Sequence, residues 1–306
     1  MPRRVAAIDC GTNSVRLLVA EQAPDGFREL DRALRLTRLG QGVDATGEFH
    51  PDALARTFAA CDDYRQVLDG LGVEAVRFVA TSAARDAHNR ATFFSGVRDR
   101  LGVDPEIISG QEEAQLSFDG AIDALPEAQA PVLVMDIGGG STELVVGRPD
   151  RSARGISLDM GSVRLRERFL HSDPPAAAEV AEASEFVDDL LDASGIDFEG
   201  SGSWIGVGGT ATSLSALAQR LEVYDRARVH GSTLTRAALG ELAAELLAAP
   251  VAEVLERPTM VPGRADVICA GALICSRIGA RMGVELTVSE SDILDGVVAG
   301  LLASAS

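Results

Sequence analysis

Two stretches of this chain are versions of one another. Residues 8–20 read I-D-C-G-T-N-S-V-R-L-L-V-A, and residues 135–147 read M-D-I-G-G-G-S-T-E-L-V-V-G. Aligned without gaps, Asp9 meets Asp136, Gly11 meets Gly138, Ser14 meets Ser141 and Leu17 meets Leu144. Each copy is an apolar strand closing on Asp, a turn of Gly and small polar residues, then a second apolar strand. That is the pattern of a β-hairpin whose turn could hold a phosphate. Two well-separated copies predict duplicated domains, and 306 residues suffice for two cores.

Around the hairpins the chain alternates strand and helix. In the first half, strands are expected over 26–39, 74–81 and 105–109, with helices over 51–70, 85–101 and 110–125. The second half predicts strands at 131–137, 141–147, 153–159, 203–208 and 284–288. Its helices are expected over 162–170 and 176–194, from 209, and over 234–247, 264–281 and 292–304. Mixed strands and helices in each half indicate α/β domains with central sheets. The segment Pro126–Pro131, bounded by its prolines, is the expected boundary. Domain I is then 1–126, with a C-terminal helix over 292–306 free to pack back on it, and domain II is 127–291.

Charge narrows the partners. There are 28 Lys+Arg against 46 Asp+Glu, a formal net charge of −18. Such a surface argues against nucleic acid and against anionic membranes, because every phosphate contact needs a cation. A small anion held locally by N–H groups, a few Arg and one metal ion remains compatible with that field. Cys10, Cys61, Cys269 and Cys275 form no C-x-x-C pair, which reads as free thiols in a reducing compartment. Asp9 interrupts the apolar run after Arg3-Arg4, so no export signal is expected. No stretch approaches the roughly 18 apolar residues of a membrane span. The expected location is the cytoplasm.

Four clusters carry candidate chemistry. In the turns Gly11–Ser14 and Gly138–Thr142, glycines allow close backbone approach, and successive N–H groups with Ser/Thr hydroxyls can nest phosphate oxygens. A single such turn would read as a plain hairpin; two in register, each after Asp, favour phosphate. Asp136 and Glu143 flank the second turn, where they could bracket a hard cation such as Mg²⁺ or serve as turn caps. Glu112 and Glu113 open a helix after Ser109-Gly110. Acids there complement the helix dipole, and either becomes a general-base candidate only if it faces the phosphate turns. Arg85, in the strand-to-helix turn Thr81–Asp86, could clamp phosphate or lie on the surface. Arg16, Arg164 and Arg264 are further cations near small-residue turns. Gly206-Val-Gly-Gly-Thr-Ala formally matches a dinucleotide fingerprint, with Glu222 and Asp225 following. A Gly-rich strand–helix turn holding phosphate fits the other turns better. His50, His88, His171 and His230 have no zinc-ligand spacing.

Taken together, these residues resemble the exopolyphosphatase and guanosine pentaphosphate phosphohydrolase (Ppx/GppA) family. The resemblance rests on Asp9–Ser14 with Arg16, Thr81–Arg85, Ser109–Ala114, Asp136–Glu143, Gly208–Thr210, and Arg264-Ala-Asp266 with Gly271. It runs in order from about residue 5 to 300. It implies two actin-like/Hsp70-like (ribonuclease H-like) domains with a cleft between them, and an Mg²⁺-dependent hydrolase, with Mn²⁺ as a substitute metal. The implied substrate is inorganic polyphosphate or guanosine pentaphosphate. By motif position the implied catalytic residue is Glu113 and the metal-site acids are Asp136 and Glu143. Phosphate contacts fall on Asn13, Ser14, Arg16, Arg85, Gly139, Gly140, Ser141 and Gly209. A homodimer is the assembly that remains open.

Three departures from the family pattern stand out. Cys10 and Thr12 replace an aliphatic residue and Ser. The run Ser289–Gly296 lacks the usual Arg-Glu-Gly. The chain ends at 306, which reads as a short form without additional C-terminal domains. The leading expectation is hydrolysis of terminal phosphate from short polyphosphate chains, with guanosine pentaphosphate 5′-phosphohydrolase as the alternative. A non-catalytic polyphosphate or alarmone sensor is the reading of another class; a carboxylate beside a polyanion disfavours it. A sugar-kinase reading lacks a sugar site.

Overall fold

In the computed structural model, residues 2–148, 150 and 152–304 are described. The first strands are β1 (Arg4–Cys10), β2 (Ser14–Ala23) and β3 (Gly26–Leu36), followed by α1 (Val43–Thr46), α2 (Pro51–Leu71), β4 (Ala75–Ala80), α3 (Ser82–Asp86), α4 (Arg90–Leu101), β5 (Glu106–Ile107) and α5 (Gly110–Ala124). The second set begins with β6 (Val132–Ile137), β7 (Thr142–Gly147), β8 (Ala153–Leu158), α6 (Ser162–Phe169), α7 (Ala177–Ala193), β9 (Ser203–Val207) and α8 (Gly208–Ala218). It closes with α9 (Arg226–Val229), β10 (Thr233–Leu234), α10 (Arg236–Ala248), α11 (Val251–Leu255), α12 (Ile268–Gly279), β11 (Leu286–Val288) and α13 (Ile293–Ala303).

The duplication read from the two hairpins is present in the topology. One sheet runs β3-β2-β1-β4-β5 and the other β10-β11-β9-β6-β7-β8. Read from its β8 edge, the second sheet repeats the first and adds β10 at the far side. In both, an antiparallel meander of three strands is extended by parallel strands reached through helices. β1 and β6, central in their sheets, are almost wholly buried, as strands covered on both faces must be. Trp204, Leu133, Met135 and Leu144 anchor the core of the second sheet, and Tyr64, Phe78, Phe93 and Leu17 that of the first.

The chain parts into two units: Met1–Leu116 with Ile293–Ser306, and Ser117–Asp292. The boundary expected at Pro126–Pro131 is therefore displaced into α5. That helix runs unbroken past Leu116, and Phe118 packs so closely on Gly147 that a Cβ there would come 2.4 Å from its ring. The Pro126–Pro131 segment is itself tied to the second unit. Ser203 Oγ accepts from the Gln129 N–H (2.8 Å), and Pro131 O accepts from Gly202 N–H (2.8 Å). α13 belongs to the first unit, where Val297 and Val298 share a cluster with Val5, Ala7 and Leu18. The last two positions of the expected 292–306 helix lie outside the described residues.

The helix expected over 85–101 is two helices. His88 N–H bonds Gly47 O (2.8 Å), and the Asn89 amide bonds both Phe49 N–H (2.9 Å) and Phe49 O (3.1 Å). Contacts far along the chain thus override local helix propensity. α12 begins at Ile268 rather than 264, after a series of turns.

Candidate active site

The first unit contributes one hairpin turn and the start of α5. β1 and β2 pair with Asp9 opposite Arg16, and Gly11 N–H bonds Ser14 O at 2.9 Å. The segment after β3 covers the turn's carbonyls: Thr37 and Arg38 N–H groups bond Asn13 O (3.1 and 2.9 Å), and Gly40 N–H bonds Thr12 O (2.8 Å). Asn13 and Ser14, both expected at phosphate, sit at the half-exposed tip. Arg16 lies further along β2, opposite Asp9. Its Nε and Nη2 both donate to Asp9 Oδ2, at 3.0 and 2.7 Å. Cys10 is closed to thiol chemistry, because burial first, then neighbouring Cys61 and Asp9, push its thiol well above the usual cysteine range.

The two glutamates of α5 separate cleanly. Glu112 is exposed and accepts from Arg77 Nη2 at 2.7 Å. Glu113 is 9% exposed and accepts from Arg85 Nη1 at 2.9 Å. Arg85, expected as a phosphate clamp, is thus brought to Glu113.

The second unit carries the other turn. Gly138 N–H bonds Ser141 O at 3.0 Å, the counterpart of the bond in the first hairpin. The turn's carbonyls are held by the start of α6. Ser162 N–H bonds Gly138 O (2.9 Å), Val163 and Arg164 N–H bond Gly139 O (2.9 and 3.0 Å), and Arg164 Nε bonds Gly140 O (2.7 Å). Gly161 is required for this approach, since a Cβ there would meet Gly139 C at 2.4 Å. With the carbonyls turned to α6, no acceptor among the described residues takes the N–H groups of Gly139, Gly140 and Ser141. Three successive amides left without a protein acceptor are of the kind that can receive an anion.

Asp136 and Glu143 face each other directly across β6 and β7, so their side chains share one face of the sheet. Ser117 Oγ donates to Asp136 Oδ2 (3.4 Å), and Ser157 Oγ donates to Glu143 Oε1 (2.7 Å). Neither serine was singled out in the sequence. Ser157 was findable, because it stands opposite Glu143 in the β7–β8 register; Ser117 lies one helical turn after Glu113. The α8 turn also closes on this face. Gly208 has φ +74°, and a Cβ there would come 2.5 Å from Asp136 Oδ1. Gly209, the expected phosphate contact, lies beneath Arg264, whose Nη1 would be 2.4 Å from a Cβ. Thr210 Oγ1 donates to Ile137 O (2.8 Å), pinning α8 to the end of β6.

A model of the Ppx/GppA phosphatase family matches residues 18–304. The chain belongs to the Ppx/GppA phosphatase family. It is 46% identical to "Exopolyphosphatase 2" of Mycobacterium tuberculosis (strain CDC 1551 / Oshkosh), over 97% of this chain and 98% of that protein. Among solved structures, an exopolyphosphatase-like protein superposes with a TM-score of 0.95 at 38% identity, covering 99% of each chain. The Aquifex aeolicus Ppx/GppA family member superposes with a TM-score of 0.83 at 31% identity, covering 100% of this chain and 99% of that one. The two sheets are accordingly a pair of actin-like ATPase-fold domains, and the chain is a phosphoanhydride hydrolase by family. Among the described residues no helix is long and apolar enough to cross a membrane.

Proposed function

We propose that this protein is an exopolyphosphatase, releasing terminal phosphate from inorganic polyphosphate and preferring short chains. The observation that carries the reading is Glu113: a buried carboxylate at the start of α5 gives nothing to a pure polyanion binder, but a hydrolase needs one. The full-length similarity to a protein named Exopolyphosphatase 2 supports the substrate class.

In this reading, Glu113 accepts a hydrogen bond from water and aims it in line at the terminal phosphorus. The N–H groups of Gly139, Gly140 and Ser141 hold phosphate oxygens as charge shifts towards the leaving chain. Asn13, Ser14 and Gly209 supply further contacts. The water oxygen bonds to phosphorus as the bond to the bridging oxygen breaks, and the leaving chain keeps that electron pair.

Asp136 and Glu143 would hold Mg²⁺, or Mn²⁺ in its place. The donor set fits: two carboxylates on one sheet face, hard oxygen donors, where the first hairpin instead carries an acid and an arginine. No cluster of three or more ligating side chains occurs among the described residues. That suits a metal whose coordination is completed by water and substrate phosphates. Bound there, it would offset negative charge on the phosphate oxygens. The four cysteines, all free and buried, fit the cytoplasm as the working compartment. A homodimer is the proposed assembly.

The test is phosphate release, at fixed ionic strength and free Mg²⁺, from polyphosphates of several lengths and from guanosine pentaphosphate. The expected order of kcat/KM is short polyphosphate first. A chain with 28 Lys+Arg against 46 Asp+Glu has no general excess of cations to lay along a long polyanion. Specificity rising steadily to hundreds of phosphates would overturn the length preference. Preferential release from guanosine pentaphosphate would replace the substrate.

A further inference from the structure

Arg85 has two hydrogen bonds from one atom. Its Nη1 donates to Glu113 Oε2 at 2.9 Å and to Ile108 O at 3.0 Å. Both side chains of the pair are largely covered, at 24% and 12% exposure. Ile108 immediately precedes Ser109, whose carbonyl takes the Glu113 N–H (2.9 Å) and whose Oγ takes the Glu112 N–H (3.1 Å). A single guanidinium nitrogen therefore bridges the chain entering α5 and the carboxylate in that helix's first turn.

We propose that Arg85 is a positioning residue for hydrolysis, acting through Glu113 rather than by gripping phosphate; this rests on Glu113 being the water-orienting carboxylate. The bond to Ile108 O fixes where the guanidinium sits, and the bond to Oε2 fixes which way the carboxylate faces. A loose phosphoryl-transfer transition state asks more for alignment of the water than for early proton removal. Arg85 is thus suited to orientation, where a misplacement of about 1 Å can cost on the order of 100-fold. Neighbouring Glu112 has its own arginine, Arg77, on the exposed side, so the two glutamates do not compete for Arg85.

The experiment is a double-mutant cycle on short polyphosphate with Arg85→Met, Arg85→Lys, Glu113→Gln and the Arg85→Met/Glu113→Gln pair. Thermal midpoints are measured alongside. Arg85→Met should lower kcat about 10–100-fold with KM changed less than about 2-fold. In the Glu113→Gln background the same change should cost less than about 3-fold, since the group being positioned is already gone. Arg85→Lys should lose less than Arg85→Met, which keeps the test alive if the latter does not fold. A raised KM at unchanged kcat, or an equal loss in both backgrounds, would show a phosphate clamp and overturn the proposal. Wild-type kcat in Glu113→Gln, or no phosphate release by the wild type, would instead remove the hydrolytic reading on which the proposal stands.

Discussion

The two hairpins share a scaffold and differ in one position that decides their chemistry. Both place Asp at the end of a central strand, and both close the turn with the N–H of a glycine on a serine carbonyl, at 2.9 and 3.0 Å. Both have their turn carbonyls covered, one by residues 37–40 and the other by the start of α6. Opposite the Asp, however, the first hairpin carries Arg16 and the second Glu143. In the first, the acid is neutralised within the fold. In the second, two acids face each other on one side of the sheet, an arrangement that gains from a bound cation. Duplication supplied a phosphate-sized turn twice, and a single cross-strand position sets one copy apart as a closed ion pair.

The sharpest asymmetry lies after the fifth strand of each sheet. There α5 carries Glu113, whereas α13 carries Asp295, bonded to Arg32 at 2.8 Å. Glu113→Gln should lower kcat about 10²–10⁴-fold with binding retained. Asp295→Asn should leave kcat nearly unchanged and shift only the thermal midpoint. Steady-state kinetics and melting of both variants decide it; a large kcat loss in Asp295→Asn would erase the difference between the two helices. Within the hairpins, Asp136→Ala and Glu143→Ala should each raise the Mg²⁺ concentration for half-maximal activity. Metal titrations that coincide with wild type in both alanine variants would make these acids structural.

Much of this comparison was legible in the sequence, because it rests on local pattern. The Asp–Gly turns, the strand pairs and the alternation of elements follow from short-range spacing, and aligning the echo already sets Arg16 against Glu143. The same register sets Arg16 opposite Asp9, and the two pair in the structure. What the pattern could not show depends on residues distant in the chain. Arg85 and Glu113 meet only because β4 and β5 lie side by side. The split inside α5 arises because Phe118 finds its partner at Gly147. The short elements α1, α9, α11 and β10 carry too few residues for any period to register.

Arg16 offers the next test of the first hairpin. Its side chain and that of Asp9 are 15% and 7% exposed, so the pair is largely desolvated. Arg16→Met would remove both of its hydrogen bonds to Asp9 and should cost up to about 3–5 kcal/mol of stability. Asp9→Asn/Arg16→Met should recover most of it, since removing both charges removes the penalty. Denaturant melts of the three proteins read the effect. If stability returns but activity does not, Arg16 also serves the substrate; if Arg16→Met is not destabilised, the pair adds nothing to the stability of the hairpin.

The smallest expected effect comes from an ion-pair network away from both hairpins, and it measures what burial adds to Asp9–Arg16. Asp188 on α7 accepts from Arg277 Nε (2.8 Å) and Arg281 Nη1 (2.9 Å), with Arg281 Nη2 also reaching Asp192 (2.6 Å). Burial pushes the Asp188 carboxyl up, but the hydrogen bonds from Arg277 and Arg281 outweigh it and hold the group below the usual aspartate range. A depressed carboxylate contributes stability that is fully present above its unfolded value, about 4. That contribution is lost as pH falls through the lower folded value. Asp188→Asn should therefore be less stable than wild type at pH 7 by no more than about 1 kcal/mol, because these side chains are only partly covered and salt screens them. The gap should shrink with added salt and close as the pH drops below about 4. Melting both proteins across that range separates charge from shape. A gap that persists undiminished in acid would mean that Asp188 acts by packing α7 on α12, and that its arginines are bystanders.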